Sequence, residues 1–322
     1  MSEKYETIVP SEPDAGERLQ WVSWLRSAAP YVHLHHGRTF VISFAGEVVA
    51  DRTLLNHLVM DVSLIASMGM RVVLVHGSRP QIEELMGLRK LEGQFYKGVR
   101  ITGPQELECV KEACGETRFD IEAAFSQGLP NTPMQHSRIK VVSGNFVTAR
   151  PMGIIDGVDY LHTGVVRKVD AESIQDLLSR GNIVLVSPTG FSPTGEAFNL
   201  TTEDVATAIA VAIHADKLIL SVGVDGVRVR GEKQQDLTAQ QAQALIQSKQ
   251  VDDEDVYNLG YALRAIKGGV DRVHIVPYAM DGGILTELFT HDGVGTMIST
   301  ENMESLREAT IDDLSLIHIS EP

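Results

Sequence analysis

Residues 71–82 read Arg-Val-Val-Leu-Val-His-Gly-Ser-Arg-Pro-Gln-Ile, and this stretch decides the fold. A short apolar run rich in β-branched valine is the pattern of a strand buried on both faces, which is how parallel strands read. Gly77 breaks the run, and Pro80 suits the first turn of a helix. Strand, glycine turn and helix together make one βα unit. The same pattern recurs on either side. FVISFAG (40–46) precedes a helix near 52–68, and NIVLVSP (182–188) follows one near 171–180. KLILSVG (217–223) follows a helix near 203–215, and RVHIVP (272–277) follows helices near 238–248 and 254–267. A further long helix near 104–127 starts after Gly103-Pro104. Short apolar strands alternating with helices predict an α/β chain, a three-layer α/β/α sandwich around a mainly parallel sheet. RIKVVSGNFVTARP and VDYLHTGVVRKVD read as two hairpins that add an antiparallel part, and 189–200 reads as a loop rich in Gly, Pro and Thr.

Ahead of the first strand, ERLQWVSWLRSAA (17–29) predicts a helix ended by Pro30. Trp21, Leu25 and Ala28 recur at helical spacing, with Trp24 alongside. A short helix cannot bury both tryptophans of the chain by itself, so it is expected to dock on the body or on another subunit.

Composition narrows the function classes. The chain has 322 residues, 28 Lys+Arg against 43 Asp+Glu, a formal charge of −15, and 43% apolar residues. That apolar content supports a packed core and excludes general disorder. A strongly acidic chain is repelled by phosphate backbones and anionic lipid, so neither nucleic acid nor a membrane surface is an expected partner. No stretch approaches the apolar length of a membrane span and the N-terminus carries no apolar signal region, so a cytoplasmic location is expected. The two cysteines, Cys109 and Cys114, exclude a disulfide scaffold and fall on different faces of their helix. His33, His35 and His36 lack a fourth ligand, so no metal site is expected.

Several turns could carry chemistry, each with a plainer structural reading. Ser43-Phe44-Ala45-Gly46 and His76-Gly77-Ser78-Arg79-Pro80 are strand-to-helix turns of the kind that cradle anions, or simply packing turns. Neither is a dinucleotide fingerprint or a P-loop. Asn199-Leu-Thr-Thr-Glu203-Asp204 opens a helix and reads as a site or as a cap. Glu287-Leu-Phe-Thr-His-Asp-Gly-Val-Gly-Thr296 ends a helix and turns at two glycines. His274 is a lone histidine in a strand, where a satisfied core role is the usual one.

In order and spacing these pieces resemble the amino-acid-kinase fold, in its acetylglutamate kinase branch. The resemblance rests on Ser43–Gly46, Val75–Pro80, Phe198–Glu203, Val273–Ile275 and Glu287–Thr296, and runs from about residue 38 to 300. A finer similarity, carried by 77–82, 141–146, 157–160, 194–201 and 307–313, is to the bacterial N-acetylglutamate synthases. That family joins a kinase-like domain to a GCN5-related acetyltransferase domain. It acetylates glutamate from acetyl-CoA and is inhibited by arginine.

The departures are specific. Where the kinases carry two phosphate-binding lysines and an aspartate that positions them, this chain has Ser43, Asn258 and Glu203. Phosphoryl transfer needs fixed cations on the moving charge, and these residues cannot supply them. Arg100 and Asn199 match the kinases' acyl-glutamate contacts, so Arg100, Asn199, Gly77 and Ser78 read as a vestigial acyl-glutamate pocket. The resemblance further implies an arginine site at His274, Glu287, Gly293, Gly295 and Thr296. Lys217 is a weaker candidate for the effector carboxylate, and Tyr31 or Trp24 could close the pocket.

The expectation is therefore a catalytically silent, arginine-sensing kinase-fold domain with no cofactor of its own, acetyl-CoA being a co-substrate of the full-length family. It divides into an N-terminal arm and helix (1–37), a kinase-like domain (38–300), a linker and the start of a missing acetyltransferase domain (301–314), and a non-native tail (315–322). The resemblance implies a homo-oligomer built as a ring of kinase-fold dimers, with a hexamer as the candidate size. An active acetylglutamate kinase using ATP and a pure oligomerisation module are the rival readings.

Overall fold

The computed structural model of the chain describes residues 15–127 and 139–300. The expected linker at 301–314, the tail at 315–322 and the side chain of Trp21 lie outside what is described, as do residues 1–14 of the arm.

Among the described residues, eight strands form the central sheet. Their spatial order is Asp236–Thr238, Thr296–Ser299, Arg272–Pro277, Lys217–Val222, Thr39–Phe44, Arg71–His76, Ile183–Val186 and Val141–Ser143. Every neighbouring pair is parallel except Arg272–Pro277 with Thr296–Ser299. The period-two geometry of a strand divides its side chains between two layers. Val41, Val73, Val184 and Leu218 join one core cluster, under the helices Ala171–Ser179, Thr202–Ala212 and Asp253–Lys267. Phe40, Ile42, Leu74 and Leu185 join the other, under Arg52–Ser67, Pro104–Ser126 and Gly283–Phe289. This is the three-layer sandwich that the uniformly apolar strands predict.

Four expectations are corrected. The segment 138–151 is not a hairpin: Val141–Ser143 pairs with the Ile183–Val186 strand of the central sheet, while Val147–Pro151 leaves it. That second half belongs to a separate four-stranded sheet in the order Ala197–Asn199, Thr189–Phe191, Val147–Pro151 and Gly164–Val169. The segment 158–170 is likewise split, with Val158–Asp159 pairing with Ile154–Ile155 and Gly164–Val169 pairing with Val147–Pro151. The presumed loop 189–200 is an antiparallel hairpin in which Thr189 opposes Asn199.

The fourth correction concerns the first helix, which spans Ala15–His35 and runs straight through Pro30. The proline removes one N–H from the ladder. The following turn is held nonetheless, because Tyr31 and Val32 pack on the second core cluster and His35 Nε2 lies 3.1 Å from the Leu288 carbonyl oxygen. Val22, Trp24 and Leu25, ahead of the proline, are exposed. The two cysteines, for their part, are both buried in one small cluster with Ile82, Met86, Val110 and Ala113.

Candidate functional site

Two cavities concentrate the polar side chains. The larger, of about 620 Å³, opens at the carboxyl ends of the central strands. It brings together Gly77, Ser78, Arg100, Asn199, Glu203 and Asn258, six of the residues singled out in the sequence. Arg100 is 8% exposed, pairs with Glu83, and sits 4.6 Å from the Phe95 ring centroid. Asn199 Nδ2 donates to Thr102 Oγ1 at 3.0 Å. Ser78 Oγ lies 3.2 Å from His76 Nδ1, in the turn ahead of the Arg79–Leu88 helix. Ser43 does not line the cavity; it is buried in the strand beneath, paired with Val75 and Leu220.

The electrostatics of this cleft are one-sided. Among the described residues its wall carries Glu47, Glu203, Asp253 and Glu254, with Arg79 and Arg100 as the only basic side chains and no lysine. Burial pushes the Glu203 carboxyl above its usual range, and the like charges of Asp204 and Glu47 add to the effect. Tyr257 Oη donates to Glu203 Oε2 at 3.2 Å. Asn258 is 3% exposed, and its Nδ2 has no hydrogen-bond partner. A triphosphate placed here would meet carboxylates where transfer chemistry needs cations.

The second cavity, of about 450 Å³, lies at the opposite, amino end of the strands. Leu34 and His35 of the first helix line it together with Arg38, Asp216, Lys217, Asp271 and Arg272. Lys217 Nζ is 3.0 Å from His274 Nε2, and His274 Nδ1 is 2.7 Å from Glu287 Oε1. An ammonium group can only donate, so Nε2 accepts and the proton of the neutral ring sits on Nδ1, aimed at the carboxylate. Burial, with the positive charge of Lys217 beside it, lowers the His274 pKa to about 4, which fits that tautomer. The other carboxylate oxygen of Glu287 accepts from the Val294 and Gly295 N–H groups at 2.7 and 2.9 Å. Burial alone would push the Glu287 carboxyl up; His274 and the two N–H groups outweigh it and hold it at about 2. Burial, then Arg272, brings Lys217 down to about 8.

The glycines make this arrangement possible. Gly293 has φ +61°, and a Cβ there would stand 2.5 Å from Glu287 Oε2. A Cβ on Gly295 would collide with the Ile275 carbonyl oxygen. Thr296 Oγ1 accepts from Val227 N–H at 2.8 Å and donates to the Gln234 carbonyl at 2.5 Å.

Of the six residues expected at an arginine site, Lys217 alone lines this cavity. His274 and Glu287 stand behind it as a hydrogen-bonded chain, and Gly293, Gly295 and Thr296 shape the turn that holds Glu287. Neither Tyr31 nor Trp24 is in the lining; Leu34 and His35 occupy that side. Sequence reasoning weighed His35 only as a metal ligand and missed it here, along with Arg38, Asp216 and Arg272. The usable signal was its place at the end of a helix just before Gly37-Arg38.

The amino acid kinase family model matches residues 38–277. A protein named amino-acid acetyltransferase from Ralstonia nicotianae is 54% identical over 312 residues, which cover 96% of this chain and 69% of the relative. The chain belongs to this family of amino-acid acetyltransferases, with an amino acid kinase fold. A relative of the same name from Ectopseudomonas mendocina is 48% identical over 304 residues, covering 94% of the chain and 70% of the relative. Among solved structures, the family is represented by N-acetylglutamate synthase from Neisseria gonorrhoeae complexed with coenzyme A and L-arginine. It is 35% identical with a TM-score of 0.81, and the match covers 92% of this chain and 69% of that one. Among the described residues no helix is long and apolar enough to cross a membrane, and no group of three or more His, Cys, Asp or Glu side chains could hold a metal ion.

Proposed function

We propose that residues 38–300 form the catalytically silent, arginine-responsive kinase-fold domain of an N-acetylglutamate synthase, with 1–37 as an N-terminal arm and helix. The parent activity is acetyl transfer from acetyl-CoA to the amino group of glutamate, carried out elsewhere in the enzyme. The observation that carries the silent reading is the cleft wall: among the described residues, four carboxylates, no lysine, and Asn258 with an unpartnered amide nitrogen where a kinase needs a cation. Arg100 and Asn199 keep the form of an acyl-amino-acid pocket, without the means to move a phosphoryl group.

Arginine is assigned to the second cavity. A zwitterion with a cationic side chain needs both signs of charge, and Lys217, Arg272, Asp216 and Asp271 supply them within one lining. The Neisseria relative bound to L-arginine supports the choice of ligand. Two measurements test the reading. Calorimetric titration of L-arginine into the folded chain should give saturable binding, and ADP release from ATP, magnesium and N-acetylglutamate should stay at background. Absence of arginine binding removes the sensor role, and robust ADP release restores the kinase reading.

A further inference from the structure

The buried guanidinium of the larger cleft is already occupied. An arginine taken out of water needs a counter-charge, and the chain supplies its own. Arg100 Nη2 donates to Glu83 Oε1, on the Arg79–Leu88 helix. Arg100 Nη1 donates to the Met86 sulfur of the same helix at 3.1 Å, and a thioether is a weak acceptor. Half of a fork built for a bidentate carboxylate is thus spent on a poor partner. The two members of the ion pair also differ in freedom. The Arg100 carbonyl accepts from Thr163 Oγ1 at 2.6 Å. Its hairpin, Gln94–Tyr96 with Val99–Ile101, is tied down by Tyr160 Oη, which donates to the Tyr96 carbonyl at 3.1 Å. The Glu83 side chain is 45% exposed, so its carboxylate can turn into water at little cost.

We propose that Glu83 is an autoinhibitory carboxylate: it occupies the Arg100 guanidinium in place of the carboxylate of a small acylated amino acid, and such a ligand enters the larger cleft only as Glu83 swings away. This rests on reading Arg100 and Asn199 as an acyl-amino-acid pocket. A carboxylate tethered in this way competes at an effective concentration on the order of millimolar or above. A free carboxylate of equal intrinsic strength therefore loses to it at ordinary concentrations. The surroundings suit the displaced ligand. Asn199 and Ser78 line the same cleft, and Ser78 is the N-cap of the Arg79–Leu88 helix without a side-chain cap bond. The Phe95 ring offers an apolar wall beside the guanidinium. Removing Glu83 should thus open a pocket that the intact chain keeps for itself.

The test is calorimetric titration of N-acetyl-L-glutamate into the full chain, in wild type, Glu83→Gln and Glu83→Gln with Arg100→Met. Glu83→Gln keeps the size and removes the competing charge, so it should bind at least tenfold more tightly than wild type. Adding Arg100→Met should abolish the gain. Glu83→Asp draws the carboxylate back by one methylene and should fall between wild type and Glu83→Gln. It carries the test if Glu83→Gln fails to fold. Equal affinity in wild type and Glu83→Gln, a gain that survives the loss of Arg100, or no binding to folded Glu83→Gln overturns the proposal. ADP release by Glu83→Gln with ATP and magnesium separates this from the silent reading. Tighter binding without ADP release supports both. Tighter binding with ADP release supports the role of Glu83 and overturns the silence. Failure of the binding arm overturns the role of Glu83 and leaves the silence standing.

Discussion

Lys217 Nζ lies 3.0 Å from His274 Nε2 across two neighbouring parallel strands, and the direction of that hydrogen bond sets the state of everything behind it. A donating lysine forces a neutral imidazole whose remaining proton must point at Glu287. One cationic side chain on the cavity wall thereby fixes a tautomer and a carboxylate that lie deeper in the protein.

Lys217→Met keeps the volume and removes the charge. Burial lowers the lysine to about 8, below its usual value, so its charged form is disfavoured in the folded state. The sign follows: that charge costs stability below about pH 8, and the cost is relieved as pH rises toward the unfolded value. The variant should stay folded at neutral pH, while arginine affinity falls more than tenfold by calorimetry.

Glu287→Gln exchanges an acceptor of three hydrogen bonds for a group that also donates. Arginine affinity should fall by at least tenfold, and the thermal midpoint should drop as well. Because the folded carboxyl is held at about 2, its contribution is full above the usual carboxylate range and is lost as pH falls toward about 2. Acid unfolding followed by circular dichroism should therefore begin at higher pH in the variant.

Gly295→Ala places a methyl group against the Ile275 carbonyl oxygen, a backbone atom that cannot swing aside. The expected cost is on the order of 3 kcal/mol, read as a lower denaturant midpoint with an unchanged slope.

Removing residues 1–29 takes away the exposed Val22, Trp24 and Leu25 while leaving His35 in place. Light scattering should report a smaller assembly than for the full chain. An unchanged mass would mean that this helix joins no subunits.

The strands that end at the two cavities were legible because each is apolar on both faces and followed by a glycine turn or a helix. The larger cleft was legible for the same reason: Gly77, Asn199 and Glu203 all sit where a strand hands over to a helix. The short strands were not. Val141–Ser143 and Val147–Pro151 are separated by only three residues, and nothing local tells which sheet each will join. Thr189–Phe191 and Ala197–Asn199 contain or border the glycines and proline that made the segment read as a loop. Pro30 misled in the other direction, because tertiary packing of Tyr31, Val32 and His35 outweighs the missing N–H. The second cavity is assembled from residues distant in sequence, Leu34 to Thr300, and only the folded chain brings them together.

Pro30 also divides the first helix into two levers, the earlier one with exposed apolar side chains and the later one packed on the core. The Arg26 carbonyl has no N–H to receive at position 30, so the joint between them is the least braced point of the rod. The later lever ends in Leu34 and His35, on the rim of the second cavity. Whatever fills that cavity would therefore lie against the lever that packs on the core, on the other side of the proline from the exposed apolar residues.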